Sequence, residues 1–191
     1  MLLKEFIKIF RNIVCSVGLM IIFPVLFLAA LIIFLEDGMP VFFIQERIGK
    51  NKLSFKIIKM RTLKIEAPDT GTHELDQKYQ LICGKLLRKI KLDEFPQLIN
   101  VIKGDLNLIG PRPGLINQTK LTECRSKNNV YAIKPGITGL SQILGYDMSD
   151  PMKLAEVDKL YIDNKSLFID LLIMVGTFVE YPKKYLIKLI T

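Results

Sequence analysis

Asp93 and Glu94 are adjacent carboxylates in the stretch Lys91-Leu-Asp-Glu-Phe-Pro-Gln-Leu-Ile-Asn100, and Arg112 follows soon after, set between prolines in Gly110-Pro-Arg-Pro-Gly114. A carboxylate can act as a nucleophile toward phosphorus, and the planar guanidinium fork matches a pair of phosphate oxygens. Proline on either side restricts the backbone of Arg112, so little entropy remains to be lost when it grips a ligand. These residues point to phosphoryl chemistry. The acids need a helix to hold them. Pro96 suits a first helical turn, which makes the residues before it the cap, and Leu98, Ile99, Val101 and Ile102 supply a buried face until Gly104 ends it. Asp93 and Glu94 then sit at the positive end of a helix dipole, where simple N-capping would also explain them.

Cations flank this stretch. Leu81–Ile90 reads as an amphipathic helix with Lys85, Arg88 and Lys89 on one side, and its place just before the acids makes Arg88 a candidate phosphate contact. Val41–Ile44 and Ser54–Ile58 flank Gly49-Lys-Asn51 and predict a β-hairpin with a Gly/Asn turn. Lys59 and Arg61 lie at i and i+2 at its end, on one strand face, either as ligand cations or as a solvated edge blunted by lysine. A further turn, Lys134-Pro-Gly-Ile-Thr-Gly-Leu-Ser-Gln142, is glycine-rich with a cation at its start, so its backbone could approach a nucleotide closely. It is not a Walker motif.

The elements that must hold these groups begin with a membrane segment. Ile13–Leu35 carries no charge, and at ~1.5 Å per residue a helix of that length would cross the ~30 Å hydrocarbon core. Pro24 in its middle removes a helix hydrogen bond and predicts a kink. Lys4, Lys8 and Arg11 precede the run, while Arg47, Lys50, Lys52, Lys56 and Lys59 follow it, so both flanks carry the charge that belongs in the cytoplasm. A re-entrant helix, entering and leaving by one leaflet, satisfies both observations; a simple span is the alternative. The run is longer than the ~7 to 15 apolar residues of a cleavable signal.

With 191 residues, the chain suits one catalytic domain and an anchor. We expect a kinked re-entrant membrane helix over 1–37 and a cytosolic, membrane-associated catalytic domain over 38–191. The formal net charge is +8, and the charges of residues 1–37 cancel, so the domain carries the surplus. Such a surface suits inner-leaflet anionic lipids or a polyanionic substrate. Cys15, Cys83 and Cys124 lie far apart with no C-x-x-C pair, which indicates neither a zinc site nor a disulfide framework. Residues 64–80 form a polar, turn-rich loop suited to a lid and contain the one histidine, His73, read as a surface residue. Leu167–Val179 is too short to span a bilayer and fits a buried or interfacial helix, with Tyr181-Pro-Lys-Lys-Tyr185 at headgroup level. The fold class expected is α+β and α-rich, with a small hairpin and amphipathic interfacial helices after the membrane helix.

Three motifs taken together, Lys91-Leu-Asp-Glu-Phe-Pro-Gln-Leu, Gly110-Pro-Arg-Pro and Lys134-Pro-Gly-Ile-Thr-Gly-Leu-Ser-Gln, resemble those of the bacterial sugar transferase family of monotopic phosphoglycosyl transferases. The likeness extends through Gln45-Glu-Arg-Ile-Gly and Phe55-Lys-Ile-Ile-Lys-Met-Arg-Thr62 and ends near Asp170. The resemblance implies transfer of a sugar 1-phosphate from a UDP-sugar to undecaprenyl phosphate, with release of UMP, at the cytoplasmic face of a bacterial inner membrane, as the first membrane step of glycan assembly. It implies Asp93 as covalent nucleophile and magnesium-bearing residue, Glu94 as its dyad partner, Arg88 and Arg112 as phosphate contacts, Lys59 as the basic residue after the hairpin, and Mg2+ as cofactor. Pro24 matches the proline that bends the family's membrane helix. Phe23 stands where the family often has serine, and Met60, Leu63 and Ser141 replace commoner residues conservatively.

A non-catalytic basic protein that binds anionic lipid is the alternative from another class. Nucleic acid is the weaker partner, because no aromatic residues interleave with the basic cluster at 85–91. The donor sugar is open among hexose, N-acetylhexosamine and trideoxy diacetamido sugar; Gly145–Pro151 bears a loose similarity to the N-acetylated deoxysugar enzymes.

Overall fold

The apolar N-terminal run forms one helix, α1 (Leu2–Asp37), in a computed structural model that describes residues 2–68 and 77–179 together with Tyr185, Leu186 and Lys188. Pro24 lies inside α1. It offers no N–H to the carbonyl of Met20, and the helix absorbs that loss rather than ending there. Leu19, Ile22, Leu26, Ala29, Ala30 and Ile33 recur at helical spacing and pack on Val41, Met60, Leu81, Leu87 and Leu92. The other sides of the helix carry exposed Phe6, Phe10, Met20, Phe23, Phe27 and Leu35, and only 11% of its most apolar window is buried within the protein.

The chain is α+β and rich in helix, and it divides into two units: Met1–Gln45 with Ile57–Ile102, and Glu46–Lys56 with Lys103–Thr191. The apolar stripe on α1 is part of the first unit's core.

After a loop, strands β1 (Phe42–Ile48) and β2 (Ser54–Met60) pair as the expected antiparallel hairpin. Its turn differs in detail from the sequence expectation. The left-handed residues are Asn51 (φ 54°) and Lys52 (φ 63°), and Gly49 is there for space, since a Cβ on it would lie 3.0 Å from the Leu53 carbonyl. The base of the 64–80 loop is closed by the Lys64 amide donating to the Tyr79 carbonyl at 2.8 Å; His73 and the tip of the expected lid lie outside the described residues.

Glu36 and Asp37 end α1 at the negative end of its dipole, where acids are unfavourable unless neutralised. Arg61 does this. It is 5% exposed, its Nη1 donates to the Asp37 carboxylate, its Nη2 to the carbonyls of Asp37 (3.2 Å) and Gly38 (2.7 Å), and its Nε to that of Pro40 (2.6 Å). Glu36 accepts from the Ile82 amide at 2.5 Å and the Cys83 amide at 3.1 Å, so it caps α2 (Ile82–Lys89) from a distance in sequence. Burial, with the Glu36 carboxylate beside it, pushes the Cys83 thiol up to about 12, which disfavours the thiolate. A short turn links α2 to α3 (Gln97–Lys103) and completes the first unit.

The second unit holds a sheet that the sequence pattern did not announce. β3 (Asn107–Ile109) and β4 (Gly136–Thr138) run parallel, with Asn107 opposite Gly136 and Ile109 opposite Thr138. Around them lie α4 (Thr119–Lys127), α5 (Leu140–Leu144), α6 (Pro151–Asp163) and α7 (Leu167–Gly176), and Ile109, Leu140, Ile143, Val157, Tyr161, Ile169 and Ile173 form the core. Asp150 and Ser166 cap α6 and α7 by accepting from the Lys153 and Ile169 amides. Asp170, within the α7 run, accepts a 2.7 Å hydrogen bond from the Tyr161 hydroxyl. Leu167, Phe168, Leu171 and Phe178 remain exposed, so α7 is buried on one face and apolar on the other. Residues 181–184 lie outside the described residues.

Replacing Arg61 with methionine leaves the Asp37 carboxylate to the Ile65 amide and takes the guanidinium donors from the carbonyls of Asp37, Gly38 and Pro40. We expect a loss of about 3 kcal/mol, read by denaturant titration of the detergent-solubilised protein; an unchanged midpoint would show that the clasp is dispensable.

Candidate active site

The chain leaves α2 through Lys91, held in the left-handed region at φ 58°, and enters a single tight turn over Leu92–Glu94. A non-glycine residue there is strained, and the strain sits beside the two acids. The acids do not cap α3 as the sequence suggested. They occupy their own 3-10 turn, with the Glu94 amide bonded back to the Lys91 carbonyl (3.3 Å) and that of Phe95 to Leu92 (3.3 Å), and α3 begins only at Gln97. Leu92 faces the core and fixes the turn's rotation.

Strand β2 and its continuation hold this turn at one point and the helices on either side of it at others. The Lys59 ammonium meets Glu94 Oε1 at 3.0 Å, with side-chain exposures of 14% and 18%. At such burial the pair is shielded from the screening that makes surface ion pairs weak. The Ile58 amide donates to Asn100 Oδ1 of α3 at 3.1 Å. Arg88 Nε donates to Thr62 Oγ1 at 2.8 Å, and the Leu81 amide to the Thr62 carbonyl at 3.1 Å. Gly84 makes that approach feasible, because a Cβ there would lie 2.4 Å from the Thr62 carbonyl oxygen. Asp93 itself is 8% exposed, next to this braced partner.

Of the residues expected from the sequence, Lys59, Arg88, Asp93 and Glu94 therefore belong to one unit, with Lys59 and Glu94 in direct contact. The solvated-edge reading of Lys59 and Arg61 does not hold: one pairs with the acid turn and the other ties off α1. Thr62 and Asn100 are supporting residues that residue-type reasoning missed. Both are uncharged, and only the fold reveals what they hold.

Arg112 belongs to the second unit, and its loop is bonded at every carbonyl. Pro111 accepts from the Gly136 amide (2.9 Å), Arg112 from Arg125 Nη1 (2.7 Å), Pro113 from Arg47 Nη1 (3.3 Å) and Gly114 from the Ile48 amide (3.0 Å). The prolines alone were expected to stiffen this loop; cross-links from separate segments complete the task. The glycines of the Lys134–Gln142 turn serve this packing. A Cβ at Gly136 would lie 2.1 Å from the Gly110 amide, and one at Gly139 would lie 2.2 Å from the Gly110 carbonyl, so the close approach expected toward a nucleotide is made toward the chain's own backbone. Likewise Asp150, in the segment that loosely suggested a particular sugar, is a helix cap.

Among the described residues no group of three or more His, Cys, Asp or Glu side chains gathers to cage a metal. The donor set fits the mode Mg2+ commonly uses, in which one or two carboxylates act together with substrate phosphates and water. Asp93 and Glu94 are the carboxylates that would serve in that mode.

An apolar helix left largely uncovered defines a membrane-associated α+β protein, and its first unit carries a braced acidic turn. The chain belongs to the bacterial sugar transferase family, which matches it over residues 3–184. It is 39% identical, over 84% of its length and 76% of the relative's, to an uncharacterized sugar transferase, EpsL, of Bacillus subtilis (strain 168). It is 37% identical to the UDP-N-acetylgalactosamine-undecaprenyl-phosphate N-acetylgalactosaminephosphotransferase of Aeromonas hydrophila, over 90% of this chain and 43% of that protein. With the UDP-glucose:undecaprenyl-phosphate glucose-1-phosphate transferase of Caulobacter vibrioides it shares 34% identity, over 81% of this chain and 61% of the relative.

Gly84→Ala tests the bracing. A methyl group cannot be housed against the Thr62 backbone, so we expect a loss of about 2 to 3 kcal/mol in denaturant titration; wild-type stability would mean that α2 and Thr62 can part freely.

Proposed function

We propose that this protein transfers a sugar 1-phosphate from a UDP-sugar to undecaprenyl phosphate through a covalent phosphosugar on Asp93. The observation that carries the reading is the turn holding Asp93 beside the Lys59–Glu94 ion pair, in a unit that includes the apolar helix α1. The activities named for the Aeromonas and Caulobacter relatives support it. They act on different sugars, so the donor is assigned here only as a UDP-sugar.

A carboxylate oxygen of Asp93 bonds to the sugar-bearing phosphorus as the bond from that phosphorus to the bridging oxygen breaks, and UMP departs with the bridging oxygen and its electron pair. An oxygen of undecaprenyl phosphate then attacks the same phosphorus. The acyl phosphate bond breaks, Asp93 regains its carboxylate, and the diphosphate-linked lipid sugar is released. Dividing the transfer this way replaces one difficult step with two that share an activated intermediate. Lys59 holds Glu94 in place, while Arg88 and Arg112 would grip phosphate oxygens and offset their charge. Asp93 would hold Mg2+, which would supply positive charge to offset the repulsion between carboxylate and donor.

The lipid acceptor requires the site to work at a membrane. α1 would enter and leave by the cytoplasmic leaflet, with the exposed faces of α2 (Ile82, Leu86) and α7 (Leu167, Phe168, Leu171) against the lipid and the basic surplus toward anionic headgroups.

Incubation with a panel of UDP-sugars, undecaprenyl phosphate and Mg2+ should release UMP and, without acceptor, yield a phosphosugar adduct on Asp93 by mass spectrometry. Asp93→Ala should lower turnover at least about 10³-fold and Glu94→Gln about 10²-fold. Full UMP release by the Asp93 variant would refute the nucleophile, and salt-sensitive lipid binding with no turnover of any donor would favour a non-catalytic membrane protein. For topology, single cysteines replacing Lys4 and Lys52, in a chain whose own three cysteines are changed to alanine, should label from the same side; labelling from opposite sides eliminates the re-entrant arrangement.

A further inference from the structure

Arg125 and Asp158 are the most deeply buried ion pair described, with side-chain exposures of 2% each. Arg125 Nε (2.9 Å) and Nη2 (2.6 Å) both donate to Asp158 Oδ2, and the Ser141 hydroxyl donates to Oδ1 at 3.0 Å. Burial pushes the Asp158 carboxyl above the usual carboxylate range, with Arg125 and Ser141 pulling the other way. Stability gives no reason for such a pair, since well-packed apolar residues of similar volume usually serve as well or better. What an apolar pair could not do is donate a hydrogen bond. The remaining arm of the fork, Nη1, reaches the carbonyl of Arg112 at 2.7 Å. Asp158 occupies the Nε and Nη2 side of the guanidinium and so aims Nη1 at that carbonyl.

We propose that Arg125, oriented by Asp158 and Ser141, is a positioning residue for Arg112. It fixes the one carbonyl in the run Pro111–Gly114 that belongs to the arginine itself, and so sets the origin from which the Arg112 guanidinium is presented to the donor's phosphates. The inference rests on the reading of Arg112 as a phosphate contact.

The test uses the full chain in detergent and two variants. In the first, Arg125→Met with Asp158→Leu, both charges go and the volume is kept; in the second, Arg125→Lys, the charge stays but the fork is lost and folding is less at risk. Hydrogen exchange is read at the Ile48 and Gly136 amides, whose acceptors are the Gly114 and Pro111 carbonyls on either side of Arg112. Exchange there should rise about tenfold in each variant that folds, while the Thr122 amide within α4 keeps its protection. The KM for the UDP-sugar should rise about tenfold with kcat changed far less, and the same substitutions should add nothing to Arg112→Ala. Unchanged exchange at Ile48 and Gly136, or a KM effect that persists in full on the Arg112→Ala background, would overturn the proposal. If exchange rises as expected and Arg112→Ala leaves KM unmoved, Arg125 still orders the loop and the phosphate role of Arg112 is what fails.

Discussion

Five consecutive residues, Ile58 to Thr62, hold the first unit together. The Ile58 amide takes α3 through Asn100, Lys59 takes the acidic turn through Glu94, Met60 enters the core beneath α1, Arg61 gathers the carbonyls at the end of α1, and Thr62 receives α2 and Arg88. Buried charge is tolerable only when paired and hydrogen-bonded, and a strand end is the place where successive side chains can serve opposite faces. Membrane helix and candidate nucleophile therefore share a single support.

The second unit meets a different constraint with different means. Its arginine stands on a loop whose prolines donate nothing, so the loop's carbonyls must be satisfied from outside. Two backbone amides and two arginine side chains provide four donors to four successive carbonyls. Three glycines permit the backbone crossing beside it, where any side chain on Gly136 or Gly139 would collide with Gly110. Rigidity here comes from polar saturation of a short segment rather than from apolar burial.

Apolar surface outside the two cores follows a third rule. α1 turns most of its hydrophobic residues outward, α2 exposes Ile82 and Leu86 while burying Leu87, and α7 exposes Leu167, Phe168 and Leu171. Surfaces of that extent are costly in water and inexpensive in lipid, so the medium is part of what stabilises the fold. Lysines such as Lys85 and Lys89 on the same helix as the exposed Ile82 and Leu86 suit the boundary between acyl chains and headgroups.

The sequence by itself determined the kinds of residue available and their local habits: an uncharged helix around Pro24, a hairpin, an amphipathic α2, an acidic pair and a proline-framed arginine. Periodicity, charge runs and proline act over a few neighbours, which is why those elements were legible. Only the tertiary structure decided what each charge is for. Lys59 and Arg61, two residues apart and alike in type, brace different elements, and Arg125, Asp158, Thr62 and Asn100 carry no local signature of their partners. The β3–β4 pairing and the use of Gly110, Gly136 and Gly139 were hidden for the same reason. Hydrogen bonds and ion pairs between residues distant in sequence depend on which surfaces the chain brings within about 3 Å, and no local pattern encodes that.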